Sequence, residues 1–141
     1  VGYYTHVRGE IEIDPPLTWA EVREADGDGF WPPQDERSVE LRIVETSVET
    51  NVGTLRRREG VSVIPATEDG FKAYHLLEHV QAVLDRWDGP HAFAGRFDCS
   101  GEENGDLWRL EIQRDSAGKP KAVKIQARIV WPNGEAQEGR R

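Results

Sequence analysis

The sequence predicts an α+β domain: a single antiparallel-rich sheet covered on one face by two helices, in the order β-α-β-β-α-β-β-β. That order is a ferredoxin-like core with an extra hairpin. Three observations predict it. Six segments alternate apolar and polar residues, so each has one apolar face, as in a sheet covered on one side only. Two further segments read as helices, one from its start signals and one from its period. No internal repeat or low-complexity linker divides the 141 residues. One domain over 1–132 is therefore expected, with a polar, mobile tail over 133–141.

Tyr3 to Ile13 is the first strand, with Tyr3, Thr5, Val7, Ile11 and Ile13 on one parity and Tyr4, His6, Arg8, Glu10 and Glu12 on the other. Asp14-Pro15-Pro16 is expected to stop it, because proline has no N–H for a ladder. Thr18 and Glu21 then have the spacing of a capping box, and Leu17 and Val22 that of a hydrophobic staple. A short helix over Trp19 to Ala25 follows. Asp26 to Glu36, rich in Gly, Pro and Asp, reads as a loop with Phe30 and Trp31 at its centre. Ser38 to Pro65 predicts a long hairpin turning at Asn51-Val52-Gly53, with a bulge near Ile43-Val44 where the apolar parity slips.

Thr67 to Trp87 has the longest clean helical period and is the expected organising helix. On a wheel that starts at Phe71, Leu76, Leu77, Val80, Leu84 and Trp87 form the core stripe, with Val83 at its margin. Asp88-Gly89-Pro90 ends it. Three strands are expected after that: Phe93 to Cys99, Leu107 to Gln113, and Val123 to Trp131.

The net charge of −8 is unevenly placed. Residues 1–50 carry four basic against twelve acidic side chains, and the remainder is balanced. Such an acidic balance argues against general binding to phosphate backbones, which needs clustered Lys and Arg, so no nucleic-acid partner is expected. No apolar run is long enough to cross a bilayer, and no basic-then-apolar leader opens the chain, so no membrane partner is expected and cytoplasm is the expected location. Val1 in place of Met implies loss of an initiator Met or an internal start. The one cysteine, Cys99, excludes an intrachain disulfide, and its apolar parity predicts a buried, inert thiol.

Few stretches carry a chemical signal. His75-Leu76-Leu77-Glu78-His79 fits the His-x-x-Glu-His pattern of a zinc-peptidase class. Two histidines four apart can share one metal, but the wheel turns all three polar residues away from the core, and no third ligand is placed nearby. Glu24, Asp26, Asp28, Gly29 and Asp35 fall on calcium-loop positions, yet Pro32-Pro33 break the pattern. No metal, cofactor or catalytic residue is therefore assigned. Phe30 and Trp31, with Asp26 and Asp28 beside them, are candidate partner contacts, or else they fold back onto the core. Arg56, Arg57 and Arg58 are candidate ligands for a nucleotide-like anion, or they pair with the Glu45 and Glu49 side of the hairpin.

A resemblance adds a setting. Gly2-Tyr3-Tyr4-Thr5, Gly9-Glu10-Ile11-Glu12-Ile13, Pro15-Pro16-Leu17-Thr18-Trp19, Lys72-Ala73-Tyr74, Glu78-His79-Val80-Gln81, Gly105-Asp106-Leu107-Trp108-Arg109 and Arg128-Ile129-Val130-Trp131-Pro132 resemble a family of small uncharacterised proteins. These occur in actinobacteria, including Streptomyces, and in their phages and prophages. The resemblance implies no activity, but it does imply a phage or mobile-element setting. The expected function is a non-enzymatic binding protein that sets its acidic amino-terminal region and aromatic loop against a basic host protein. A binder of a small, nucleotide-like molecule is the alternative, and a metal-dependent hydrolase through His75, Glu78 and His79 the third.

Overall fold

The computed structural model describes residues 2–136. Its elements are β1 (Thr5–Thr18), α1 (Trp19–Gly27), β2 (Val39–Thr50), β3 (Gly53–Pro65), α2 (Leu76–Trp87), β4 (Ala92–Gly101), β5 (Leu107–Arg114) and β6 (Pro120–Gln126). A single 3-10 turn, Gln34–Glu36, precedes β2. The strands form one sheet in the order β2-β3-β1-β4-β5-β6, with every neighbouring pair antiparallel. The four-strand part is the ferredoxin-like arrangement, and the β5–β6 hairpin extends it beyond β4.

The core lies on one face of the sheet. Val7, Ile11 and Leu17 of β1, Val63 of β3, Phe97 and Cys99 of β4, and Trp108 and Leu110 of β5 are buried there. Against them α2 packs Leu76, Val80, Val83, Leu84 and Trp87. Val83 is thus fully inside the stripe, whereas Leu77 is only partly buried. The opposite face is a grid of charge: Arg8 faces Asp98 and Glu10 faces Arg96 across β1–β4, while Asp98 faces Arg109 and Arg96 faces Glu111 across β4–β5. Alternation along each strand produces both faces at once.

Three boundaries differ from expectation. First, β1 runs through Pro15 and Pro16 to Thr18, where the prolines were expected to end it. They sit in a gap of the β1–β3 ladder, between the Glu12↔Ser62 and Leu17↔Gly60 pairs, where no N–H is required of them. Second, α2 begins at Leu76, not near Thr67. Phe71 instead exchanges both backbone hydrogen bonds with Thr5 in an isolated bridge, which extends the chain where the period suggested helix. Third, the last strand stops at Gln126, while Val130 bridges Ala136 through a turn at Trp131 to Glu135. The tail expected over 133–141 falls partly in that turn, and 137–141 lie outside the described residues.

Two local devices shape the sheet. Gly9 and Gly95 stand diagonally across β1–β4 with φ of 123° and 127°. A Cβ on Gly9 would lie 2.3 Å from the Arg96 carbonyl oxygen, and one on Gly95 would lie 2.2 Å from that of Glu10. Glycine alone permits so close a backbone approach. From α2, Gln81 accepts the Ala122 N–H at 2.8 Å and donates to the Pro120 carbonyl at 3.2 Å, while His79 holds Ser38 just before β2. One helix thereby ties both edge strands of the sheet.

Candidate functional site

The first candidate region is a cleft of about 700 Å³ at the head of α2. Its walls are the 32–38 segment, the 66–75 segment and the first turn of α2. Hydrogen bonds hold these walls in place: the Ala66 N–H donates to the Ser38 carbonyl and joins two of them. Thr5 pairs with Phe71 and the Tyr3 N–H donates to the Tyr74 hydroxyl at 2.7 Å, which ties the 66–75 wall to the amino end of the chain. Arg37 donates from Nε to the Pro32 carbonyl at 2.8 Å, and its guanidinium lies over the Trp31 ring.

His79 is the best-defined side chain of this cleft. It is half-buried, not on the wet side of the helix as the wheel suggested. The wheel puts His79 on a flank of α2 beside the core stripe, and it could not foresee the Ser38 segment lying over this flank. Ser38 donates its N–H to His79 Nδ1 at 3.2 Å, and the Ser38 hydroxyl lies 3.0 Å from the same atom. Burial, and then the neighbouring His75 ring, hold the imidazole below the ordinary histidine value. A neutral ring that accepts at Nδ1 keeps its proton on Nε2.

That tautomer bears directly on the zinc pattern. A histidine that binds metal through Nε2 donates Nδ1–H to an acceptor, whereas here Nδ1 faces a backbone donor. His75 and Glu78 are exposed and lie 3.4 Å apart, in contact with each other. Among the described residues, no group of three or more His, Cys, Asp or Glu side chains is placed to hold a metal ion. The calcium-like spacing is also put to other uses: Asp28 is the C-cap of α1 and pairs with Arg86 at 2.6 Å.

The second candidate region is the outer half of the β2–β3 hairpin. Every residue from Glu45 to Arg58 is exposed, so both faces of this ribbon meet solvent and it stands out from the body as an arm. Direct pairs share a face, and successive pairs alternate. One face carries Glu45↔Arg58, Ser47↔Arg56 and Glu49↔Thr54. The other carries Thr46↔Arg57 and Val48↔Leu55, the last two each 52% exposed, and Val52 at the turn is 98% exposed. Arg56 and Arg58 both approach Glu45, at 4.0 and 3.9 Å, and Arg58 also lies over Trp19. Arg57, on the opposite face, stands beside the apolar strip.

The aromatic loop is built into the fold. Phe30 and Trp31 are half-buried and meet edge to face, and Phe30 also meets Trp87 edge to face at 5.3 Å. Arg86 covers Phe30 and joins it to Asp28. Asp26 remains exposed.

Sequence reasoning missed His91. It is 6% exposed, with Nδ1 2.6 Å from the Pro15 carbonyl and Nε2 2.8 Å from Glu21. Both ring nitrogens face acceptors. Glu21 also closes the capping box on Thr18, and one carboxylate thus joins β1, α1 and the start of β4. The capping box was legible as a spacing of three; the His91 contact spans seventy residues and left no local signal. Cys99 is as expected: buried, with burial pushing its thiol up to about 12.

A family model matches residues 1–140. The chain belongs to the family of unknown function DUF6205. No curated protein and no solved structure matches this DUF6205 chain. The family assignment therefore brings no residue roles, and what the cleft and the arm do has to be argued from their chemistry. Among the described residues, no helix of this DUF6205 chain is long and apolar enough to cross a membrane.

Proposed function

We propose that the protein is a non-enzymatic binding protein whose contact element is the β2–β3 arm. The observation that carries this reading is the arm's outer face, where Val48 and Leu55 pair in full view of solvent beside Arg57. A two-stranded ribbon is marginal by itself, and a solvent-exposed cross-strand pair such as Val48 and Leu55 contributes little to it. Such a strip gains free energy only when a partner covers it. The nearby arginines suit a partner surface rimmed with carboxylates. This moves the contact away from the aromatic loop, whose rings already pack on Trp87. It also moves it away from the acidic amino-terminal region, where Glu10, Glu21, Asp28 and Glu45 already pair with Arg42, His91, Arg86 and Arg58. In the phage or mobile-element setting the resemblance implies, the partner is a host protein.

The test uses two tagged proteins, the wild type and the triple variant Val48→Ser, Leu55→Ser, Arg57→Glu, on lysate of a Streptomyces host. Circular dichroism and melting temperature should be unchanged in the variant, because these side chains touch no core. The expected result is a protein retained by the wild type and released by the variant, with retention that weakens as salt rises. Identical retention by both proteins would remove the arm as the contact element.

A further inference from the structure

We infer that the cleft at the head of α2 binds a mononucleotide whose base carries ring N–H donors, guanine being the prime case. Three observations lead there. The first is preorganisation: Ser38 bonds its segment to Ala66 and to His79, and Phe71 and Tyr74 are bonded to Thr5 and Tyr3, so the cleft exists before any ligand arrives.

The second is a set of donors in the lining. Arg37 uses Nε on Pro32 and keeps its terminal N–H groups, while Lys72 supplies an ammonium. Neither has a carboxylate within ion-pair distance among the described residues. His79, locked by Ser38, offers Nε2–H. These groups match phosphate oxygens, which accept and never donate when ionised.

The third is that Asp35 and Glu36 line the same cleft, on the 34–36 turn. A simple anion would be repelled by them. A guanine nucleotide is not, because guanine presents N1–H and an exocyclic amine side by side, the donor pair that a carboxylate accepts. Adenine presents an acceptor at that ring position. Phe71 and Tyr74, also in the lining, supply aromatic surface for the base. One ligand class therefore uses both signs of charge in the cleft.

Calorimetric titration of the full chain with GMP tests this, with AMP, guanosine and inorganic phosphate as comparators. GMP should bind once per chain, at least about tenfold more tightly than any comparator, a margin that one lost ionic or paired hydrogen-bond contact supplies. Lys72→Ala should weaken GMP by about tenfold or more with an unchanged melting temperature, and Arg37→Gln should do the same. Asp35→Asn with Glu36→Gln should abolish the preference of GMP over AMP. Absence of saturable GMP binding up to about 1 mM, equal binding of GMP and AMP by the wild type, or a Lys72→Ala protein that binds as the wild type does would each overturn the inference. The arm variant should bind GMP normally, so this site and the arm stand or fall separately.

Discussion

At the residue scale, the His-x-x-Glu-His letters divide: His79 is held by Ser38, while His75 and Glu78 are exposed and touch each other. His79 is fixed by the backbone N–H of Ser38, forty-one residues away, and that bond decides its tautomer and its use. The helical period could show which flank of α2 His79 occupies; it could not show that another segment lies over that flank. A pH dependence follows. Burial, followed by the His75 ring, depresses the folded value of His79 below 6.5, so its neutral form goes with the fold. The stability this gives is complete above pH 6.5 and is lost as pH falls through the lower folded value. Urea midpoints should therefore decline between about pH 7 and pH 5. His79→Gln, whose amide oxygen can still accept from Ser38, should flatten that part of the profile. Glu10 and Glu21 act in a separate window. Both are held below 4.5, Glu10 chiefly by the Ser62 hydroxyl, and Glu21, against the opposing effect of burial, by the Thr18 amide and by His91. Their contribution is present above pH 4.5 and lost as pH falls further.

At the scale of the element, most of the chain was legible because its signals are local. The Thr18–Glu21 box starts α1 where its spacing says, and the hairpin bulge falls between Arg42 and Ile43, beside the parity slip. The errors share one cause. Proline at 15 and 16 and the helical letters at 67–75 were read as if the strand had neighbours everywhere and the helix none. In the fold, β1 lacks a partner opposite its prolines, and Phe71 gains one in Thr5. The presence or absence of a neighbouring strand decided both places. The Gly9–Gly95 diagonal is the sharpest element-scale constraint. Gly95→Ala should cost about 1–3 kcal/mol from backbone strain alone, and more from contact with the Glu10 carbonyl, measured as a lowered urea midpoint. Gly118→Ala, at φ 78° with open space around it, keeps the strain but not the clash and should cost less.

On the scale of the whole molecule, the element order and the single sheet were legible because six one-faced strands and two helices leave few ways to bury their apolar sides. The arm was not. Alternation along Val44 to Leu55 looks the same whether or not anything covers the ribbon, and coverage is a property of the rest of the chain. The cleft was likewise hidden, since its walls come from three separate segments. The molecule therefore has a body and a projection, and they should open independently. Cys99 turns this into something that can be timed. It is the sole thiol of the chain, sits opposite Val7 on one side and Trp108 on the other, and is protonated at neutral pH because burial raises it to about 12. At 3% exposure it is shielded from a thiol reagent until the sheet around it opens. Labelling of the native protein should follow the global unfolding rate, rise steeply with Gly95→Ala, and ignore the arm variant altogether. The fold carries a stopwatch for its own opening, built in at the one place where a reagent cannot start it early.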